Sequence, residues 1–392
     1  MKIRELQDQV GKGDPIYIYG IGTAGKWICN LLHNKIQAFI DTDLKKCGQL
    51  YNGIPIISDI QAREELGNNA IIIISVIDIQ DVLDRINLIP HASLLPLGLY
   101  LSALSNRESF DLSESLDFIN YSLQAVELCH KGYYDENSIF LRSVDVVITE
   151  KCSLKCKDCS NLMQYYDKPE NIDIELILSD FQKLINKVDH IFEVRLIGGE
   201  PFMNKDIYKI IDNLIENSKI TKIVIYTNLM IPLKFPEAEI FRNSKVVLSA
   251  TDYGSLAKNT NSNYNKLLEM GVPIRLHPPE NWTNSGIIQD FSRTNEENEK
   301  IFFDCCGKNL LTLSDGKLYR CPFAANADRL NAVPKNVSNF FDLSSNFENL
   351  TDYTKHIKSL PACNYCNGRS FDSESIIPAI QTKIPLKYIS FK

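Results

Sequence analysis

The first hundred residues alternate short apolar runs with amphipathic stretches. PIYIYGIGTAGKWICNLL, residues 15–32, has an apolar run, a glycine-rich turn and a stretch with one apolar face at helical spacing. KIQAFIDTD, IPIISDIQAREEL and AIIIISVIDIQDVLDRI continue the alternation. Strands that alternate with helices in this way predict a parallel sheet, and we place this first domain at residues 1–105.

Residues 106–142 are polar and mixed and are expected to form a connector, with a helix over LDFINYSLQAVELCHKGYY. A second alternation then begins, with strands predicted at SVDVVIT, FEVRLIGG, TKIVIYTN, KVVLSAT and VPIRLH. At about 150 residues it is shorter than the roughly 250 of an eight-fold barrel, so a partial, open barrel over residues 143–300 is predicted. Residues 301–392 are loop-rich, with a hairpin expected around Asp315-Gly316.

Gly20, Gly22 and Gly25 fit the G-x-G-x-x-G pattern, and Asp41 lies 21 residues beyond the first of them. In a βαβ unit this combination is the fingerprint of a dinucleotide site, with the acid placed for a ribose hydroxyl. The segment also resembles the N-terminal nucleotide-binding domains of sugar O- and N-acyltransferases, at residues 20–25, 39–43, 48 and 53–56. We therefore expect a nucleotide or nucleotide sugar here, against the alternative of a Rossmann-like scaffold that has lost its ligand or serves as an interface.

The composition of the chain argues against several classes of binding partner and location. A net charge of −7, from 42 basic and 49 acidic residues, argues against a nucleic-acid or anionic-membrane partner. The N-terminus has no apolar core of the kind found in secretory signals, and AIIIISVIDI and LLPLGLYLSAL are too short to span a membrane. The expected location is cytoplasmic.

Eleven cysteines in such a chain call for an explanation, because disulfides are disfavoured in a reducing cytosol. Three of them are scattered and are interpreted as ordinary core or surface thiols: Cys29, Cys47 and Cys129. The other eight form two groups, Cys152, Cys156 and Cys159, then Cys305, Cys306, Cys321, Cys363 and Cys366.

The three cysteines of the first group, in a loop just after a strand, can converge on one metal centre. A structural zinc site would require a fourth nearby ligand, and the first candidate after Cys159 is His190, thirty-one residues on. An iron–sulfur cluster held by three thiolates, with one iron open to chemistry, is the other interpretation.

At these residues the sequence resembles the radical S-adenosylmethionine superfamily. The resemblance rests on the CxxxCxxC motif at Cys152, Cys156 and Cys159 and on the GGE motif at Gly198, Gly199 and Glu200. It implies a four-iron four-sulfur cluster that cleaves S-adenosylmethionine to a 5′-deoxyadenosyl radical, with the GGE motif holding the methionyl amino group and a flavodoxin- or ferredoxin-type electron donor. It further implies that the barrel is TIM-like, with up to six βα units.

Polar residues at the ends of later strands are expected to reach the cofactor, as the resemblance implies. They are Thr227, Asn228, Ser249, Asp252, Arg275 and His277. Asp158 departs from the family pattern, since the residue before the third cysteine is commonly aromatic and packs on the adenine.

The second cysteine group resembles the C-terminal auxiliary-cluster domains of this family, called twitch and SPASM. With Cys306, Cys321, Cys363 and Cys366 as ligands, one auxiliary four-iron cluster in a small α+β domain is implied, against the alternative of a zinc site. Cys305 and Cys306 both satisfy the spacing to Gly316, so either is the ligand. The other is a candidate catalytic thiol that returns hydrogen to a substrate radical, against the alternative of an uninvolved neighbour.

The expected reaction is dehydrogenation or epimerisation of a sugar-type or nucleotide-linked small substrate, because the first domain resembles nucleotide-sugar binding modules. A peptide-modifying radical enzyme is the alternative. A non-catalytic, metal-stabilised nucleotide-binding protein is a further one.

Overall fold

The computed structural model describes residues 2–11, 13–32, 35–101, 116–234, 236–279, 282–345, 350–370 and 373–391. The chain forms two compact units, residues 1–140 and 141–392. The boundary predicted at residue 105 and the first part of the predicted connector, 106–115, lie outside the described residues. The division into four segments stays a prediction.

The first unit is built around a six-stranded sheet. Its strands are β1 (Ile16–Tyr19), β2 (Ile36–Asp41), β3 (Leu50–Tyr51), β4 (Ile54–Ser58), β5 (Ile71–Ile74) and β6 (Ser93–Pro96). Its helices are α1 (Lys2–Gln9), α2 (Thr23–Leu32), α3 (Asp59–Glu65), α4 (Ile79–Ile86) and α5 (Leu116–Tyr134). The order is β3-β4-β2-β1-β5-β6, parallel except for the β3–β4 pair. Without β3, this is the 3-2-1-4-5 order of a doubly wound sheet.

Helix α5 coincides with the helix predicted within the connector. Its apolar residues Ile119, Leu123 and Val126 are buried with Trp27 and Ile28 of α2 in the core of the first unit. The helix therefore contributes to the core of this unit, which ends only at Phe140.

The second unit contains an eight-stranded sheet of order β11-β10-β9-β8-β7-β12-β13-β14. Its strands are β7 (Phe140–Thr149), β8 (His190–Gly198), β9 (Ile220–Thr227), β10 (Val246–Thr251), β11 (Ile274–His277), β12 (Leu311–Ser314), β13 (Lys317–Tyr319) and β14 (Phe340–Asp342). Its helices are α6 (Ile174–Ile185), α7 (Ile207–Ile215), α8 (Thr260–Glu269), α9 (Asn295–Asp304), α10 (Pro322–Arg329) and α11 (Leu350–Lys355). Strands β8 to β11 run parallel, and β12 pairs in parallel with β7.

The predicted mixed α/β class with parallel sheets is confirmed. All five strands predicted between residues 143 and 277 are present. A sixth parallel strand, β12, comes from the C-terminal ninety residues and joins on the far side of β7. The predicted hairpin is also present: β12 and β13 are antiparallel, and Asp315 (φ 51°) and Gly316 (φ 73°) form the left-handed turn between them.

The C-terminal residues share a core with the loop that follows β7. Leu162 and Met163 of that loop are buried with Phe323, Leu330 and Leu360. No described helix of the chain is long and apolar enough to cross a membrane.

Candidate active site

The three cysteines of the first group lie in the loop that follows β7. Cys152, Cys156 and Cys159 line one cavity of about 310 Å³. Backbone hydrogen bonds shape the loop, from Cys159 N to Cys156 O (3.3 Å) and from Leu162 N to Cys159 O (3.0 Å). Leu162 closes the turn in a left-handed conformation (φ 61°).

Burial raises the pKa of all three thiols, that of Cys156 to about 11. Near neutral pH such thiols stay protonated unless a cationic centre stabilises the thiolates. Three thiols on the wall of one cavity are the donor set that would fit an iron–sulfur cluster.

The GGE motif lies at the end of β8, directly against the cysteine loop. Gly199 N donates to Thr149 O (3.0 Å), and Glu200 N donates to Lys151 O (2.8 Å). A Cβ on Gly198, which has a φ of 133°, would lie 2.0 Å from Thr149 O, and a Cβ on Gly199 would lie 2.1 Å from Lys151 O. Both positions therefore require glycine, because the two strand ends approach too closely for a side chain.

Glu200 is a buried carboxylate at the edge of the same cavity, with 1% of its surface exposed. It accepts hydrogen bonds from Thr227 Oγ1 (2.6 Å), Asn228 N (2.8 Å) and Phe202 N (3.2 Å). Burial raises its pKa to about 7, and these three donors oppose the rise. No described lysine, arginine or histidine forms an ion pair with it. A buried acid that faces a cavity without a counter-ion suits a cationic amino group of a ligand.

Thr227 and Asn228, at the end of β9, also line the cavity. Asn228 Nδ2 donates to Ser153 Oγ (2.9 Å), which ties the third strand end to the cysteine loop. The structure thus brings together the cysteine loop, the GGE motif and the end of β9.

The residues predicted on the next two strands form a separate group. Ser249 Oγ lies 3.3 Å from His277 Nε2, Asp252 Oδ1 accepts from Gly254 N (2.8 Å), and Arg275 pairs in register with Ser249. None of these four predicted residues lines the cavity. The fourth strand contributes Thr251 instead. That the four predicted residues contact the cofactor stays a prediction.

Aromatic side chains reach the cavity from positions that sequence reasoning missed. Tyr253 and Trp282 line it, with ring centroids 6.3 Å apart and planes at 85°. They offer apolar surface on which a purine could pack, in a site where Asp158 stands at the usual aromatic position. The sequence does contain one signal that could have predicted these two side chains: an aromatic residue follows each of the strands β10 and β11.

The C-terminal segment pairs with the cysteine loop. Lys157 N donates to Ile380 O, and Thr382 N donates to Lys155 O, both at 2.7 Å. Between them, Gln381 Nε2 donates to Cys156 Sγ (3.2 Å), and Gln381 Oε1 accepts from Lys155 N (2.6 Å). No sequence pattern predicted this contact.

Cys306 lies close enough to influence its neighbour Cys305, and Cys305 belongs to a set of four thiols that influence one another: Cys305, Cys321, Cys363 and Cys366. Burial raises the pKa of each, to about 12 for the last two. Backbone N–H groups of the described residues donate to three of these sulfurs, from Gly307 to Cys305 (3.3 Å), Ala324 to Cys321 (3.4 Å) and Gly368 to Cys366 (3.3 Å).

Among the described residues, no three His, Cys, Asp or Glu side chains are arranged to hold a single metal ion. The auxiliary four-iron cluster at the second cysteine group and its alternative, a zinc site, both stay predictions.

In the first unit, Gly20 and Gly25 allow α2 to pack closely against the end of β1. A Cβ on Gly25 would lie 2.1 Å from Gly20 O, and Gly20 has a φ of 99°. Asp41 is hydrogen-bonded both to the glycine-rich loop and to its own turn: Oδ2 accepts from Ile21 N (3.1 Å), Oδ1 accepts from Asp43 N (2.9 Å), and Lys46 Nζ lies 3.5 Å from Oδ2.

A Cβ on Gly22 would meet no atom within 4 Å, so this glycine leaves open space at the start of α2. Ligand binding by Gly20, Gly22, Gly25 and Asp41 stays a prediction.

Residues 146–248 match the family described as the Radical SAM superfamily, which confirms the resemblance expected from the cysteine and GGE motifs. No protein of curated function matches the chain.

Several solved structures are similar to it. One is BtrN in complex with AdoMet and 2-DOIA (15% identity, TM-score 0.42, 58% of this chain and 93% of that one). A second is Streptococcus suis SuiB bound to precursor peptide SuiA (20% identity, TM-score 0.31, 47% of this chain and 44% of that one). A third is native anSMEcpe with bound AdoMet and Cp18Cys peptide (16% identity, TM-score 0.28, 34% of this chain and 42% of that one). The chain spans less than half the length of the last two. Because all three TM-scores are below 0.5, we draw no inference about the substrate from these similarities.

Proposed function

We propose that this chain, whose residues 146–248 match the Radical SAM superfamily, cleaves S-adenosylmethionine reductively and abstracts hydrogen from a sugar, nucleotide-sugar or related small substrate. The substrate is then dehydrogenated or epimerised. One observation carries the proposal: three thiols and the buried acid Glu200 face the same cavity, at the carboxyl ends of β7 and β8.

When bound at Cys152, Cys156 and Cys159, a four-iron cluster supplies the electron that splits the sulfonium into methionine and a 5′-deoxyadenosyl radical. The chain's residues bind and orient the reactants. In this proposal Glu200 holds the cationic methionyl amino group, which provides the counter-ion that the carboxylate otherwise lacks. Tyr253 and Trp282 provide the apolar wall for the adenine.

Cys305, Cys321, Cys363 and Cys366 are the proposed ligands of one auxiliary cluster, which would accept the second electron in a dehydrogenation. In this assignment Cys306 is the remaining thiol and the candidate hydrogen donor of an epimerisation. The nucleotide-sugar character expected of the first unit supports a carbohydrate-type substrate.

Substrate-dependent formation of 5′-deoxyadenosine tests the proposal. The reconstituted protein with reductant and S-adenosylmethionine is offered a panel of nucleotide sugars and a panel of peptides. Stimulation by a sugar supports the proposal, and stimulation by peptides alone supports the peptide-modifying alternative.

Substitution of the first cysteine group provides the second part of the test. The triple variant Cys152→Ala, Cys156→Ala, Cys159→Ala is expected to lose all cofactor cleavage and to fall from about eight irons per chain to about four. Cys47→Ala, which removes a thiol outside both groups, is the matched control and should keep both. A triple variant that still cleaves S-adenosylmethionine would refute the proposed function.

A further inference from the structure

Arg369 borders both cavities of the second unit. It lines the 310 Å³ cavity that holds Cys152, Cys156 and Cys159, and also a second cavity of about 450 Å³. It follows Cys366 by three residues in the sequence CNYCNGR. It is the only lysine, arginine or histidine among the described residues that line the first cavity.

The backbone around Arg369 is fixed. Gly368 turns the chain with a φ of 83°, and its N–H donates to Cys366 Sγ. Arg369 O then accepts a hydrogen bond from Cys306 N (2.7 Å). The backbone at Arg369 is therefore held by residues of the second cysteine group.

The guanidinium, in contrast, is not used by the fold. No hydrogen bond or ion pair joins it to another residue in the described part of the chain. Arg293, which lines the second cavity, differs: its Nη1 donates to both Cys363 O and Cys366 O at 2.7 Å, so that guanidinium holds the CxxC loop.

A half-buried arginine that forms no ion pair with a described carboxylate keeps hydrogen-bond donors available for an anionic ligand. Its planar guanidinium matches carboxylate and phosphate groups in paired hydrogen bonds. Arg369 is also close enough to Cys321 and Cys366 to oppose the burial that raises the pKa of both thiols. It therefore lies near the second cysteine group while it faces the first.

We propose that Arg369 binds an anionic group of the substrate, a phosphate or a carboxylate, and thereby holds the uncharged reacting part in the first cavity. This inference rests on the proposed function. The second cavity, which begins at the same arginine, would take the part of the substrate beyond the anion. The lining of that cavity mixes cations such as Lys300 with Glu297 and Asp304, so the anion itself belongs at Arg369.

Arg369→Gln and Arg369→Lys, in the full-length reconstituted protein, test the inference. Arg242→Gln is the matched control, because it removes an arginine whose side chain is 59% exposed and paired only with Glu239 on the surface. Anaerobic titration calorimetry is performed with S-adenosylmethionine and then with three probes: UDP-glucose, glucuronate and glucose.

The glutamine variant is expected to bind at least one charged probe about tenfold or more weakly, since a hydrogen-bonded charge pair is lost. The lysine variant should recover part of this affinity. Glucose binding, S-adenosylmethionine binding and the control variant should change by less than about twofold. A loss for UDP-glucose alone identifies a phosphate, and a loss for glucuronate alone identifies a carboxylate.

Three results would overturn the inference. The first is unchanged binding of the charged probes by Arg369→Gln, and the second is the absence of binding of either charged probe by the wild-type protein. The third is a tenfold loss of S-adenosylmethionine affinity, which would assign Arg369 to the methionyl carboxylate. Formation of 5′-deoxyadenosine, both without substrate and with the sugar panel, is measured in parallel. Its absence from the wild-type protein under every condition refutes the proposed function, whereas its presence with any of the three results refutes this inference alone.

Discussion

Cys305 and Cys306, two adjacent cysteines that spacing alone leaves equivalent, have different contacts. Burial raises the pKa of the Cys305 thiol well above its usual value, and the nearby thiols of Cys321, Cys366 and Cys306 add to the rise. Its sulfur also accepts a hydrogen bond from Gly307 N. Cys306 contributes a backbone N–H that is bonded to Arg369 O. On the hydrogen bond to its sulfur and its neighbouring thiols, we propose Cys305 as the fourth ligand of the auxiliary site.

Cys305→Ala is therefore expected to lose the auxiliary cluster and fall from about eight irons to about four, while Cys306→Ala keeps about eight. Iron and sulfide analysis of anaerobically reconstituted protein measures this difference. Cofactor cleavage by the intact first cluster shows that each variant is folded. The reverse result, with iron lost only from Cys306→Ala, would exchange the two assignments.

At the element scale, the C-terminal segment supplies a hydrogen bond to a predicted cluster ligand. Gln381 Nε2 donates to Cys156 Sγ, and the backbone on either side of Gln381 pairs with the cysteine loop. Hydrogen bonds to cluster sulfurs stabilise the reduced, more negative state and raise the reduction potential.

Gln381→Ala is expected to lower the reduction potential of the first cluster by roughly 40 mV, the equivalent of about 1 kcal/mol for a one-electron couple. Gln381→Glu should lower it further, because a negative charge replaces the donor. Redox titration followed by electron paramagnetic resonance measures the potential. Gln182→Ala, at an exposed glutamine of α6, is the control. Equal potentials in all four proteins would show that the contact does not tune the cluster.

Helix α5 is tied to the first sheet by a buried histidine. Gly98 N donates to His130 Nδ1 (3.1 Å), so Nε2 carries the proton and donates to Val76 O (2.7 Å). Burial lowers the pKa of His130 from 6.5 to about 4. Protonation would break the bond from Gly98 and place a charge in the core.

Because the folded-state pKa lies below the unfolded one, the stability that neutral His130 contributes is present above pH 6.5 and is lost as the pH falls towards 4. The loss amounts to about 3 kcal/mol. Urea unfolding at pH 7, 5 and 4 measures it, with Trp27 as the reporter in a Trp282→Phe background. His130→Gln can keep both hydrogen bonds but does not titrate, so its stability should depend less on pH. The same slope in both proteins would contradict the assignment.

Across the whole molecule, the secondary-structure elements that depend only on the local sequence pattern could be predicted. The strands, the helix over residues 116–134 and the Asp315-Gly316 turn each follow from residues close in sequence. The cysteine and GGE motifs were visible because each is one short segment.

What the sequence does not reveal depends on contacts between distant segments. The bond from Lys157 N to Ile380 O is made by backbone atoms, which leave no side-chain pattern. The pairing of β12 with β7 and the position of Arg369 on two cavities likewise depend on how the C-terminal ninety residues pack. Aromatic residues such as Trp282 reach the cavity from a loop. A loop has no periodic sequence pattern that predicts which way a side chain points.

Each of the two compact units has its own buried core. One is built around Trp27 and Phe39, and the other includes Leu162 and Phe323. Every residue of the candidate active site lies in the second unit. A fragment of residues 141–392 is therefore expected to fold, to bind about eight irons and to cleave S-adenosylmethionine slowly without substrate.

If the first unit recruits a nucleotide-linked substrate, the fragment should lose the stimulation by that substrate while its basal cleavage changes by less than about twofold. Near-ultraviolet circular dichroism, iron analysis and 5′-deoxyadenosine yield, each compared with the full chain, measure the three properties. Full stimulation of the fragment would show that the first unit has no part in substrate recognition. A fragment that is folded but free of iron would show that the second unit depends on the first for cluster assembly.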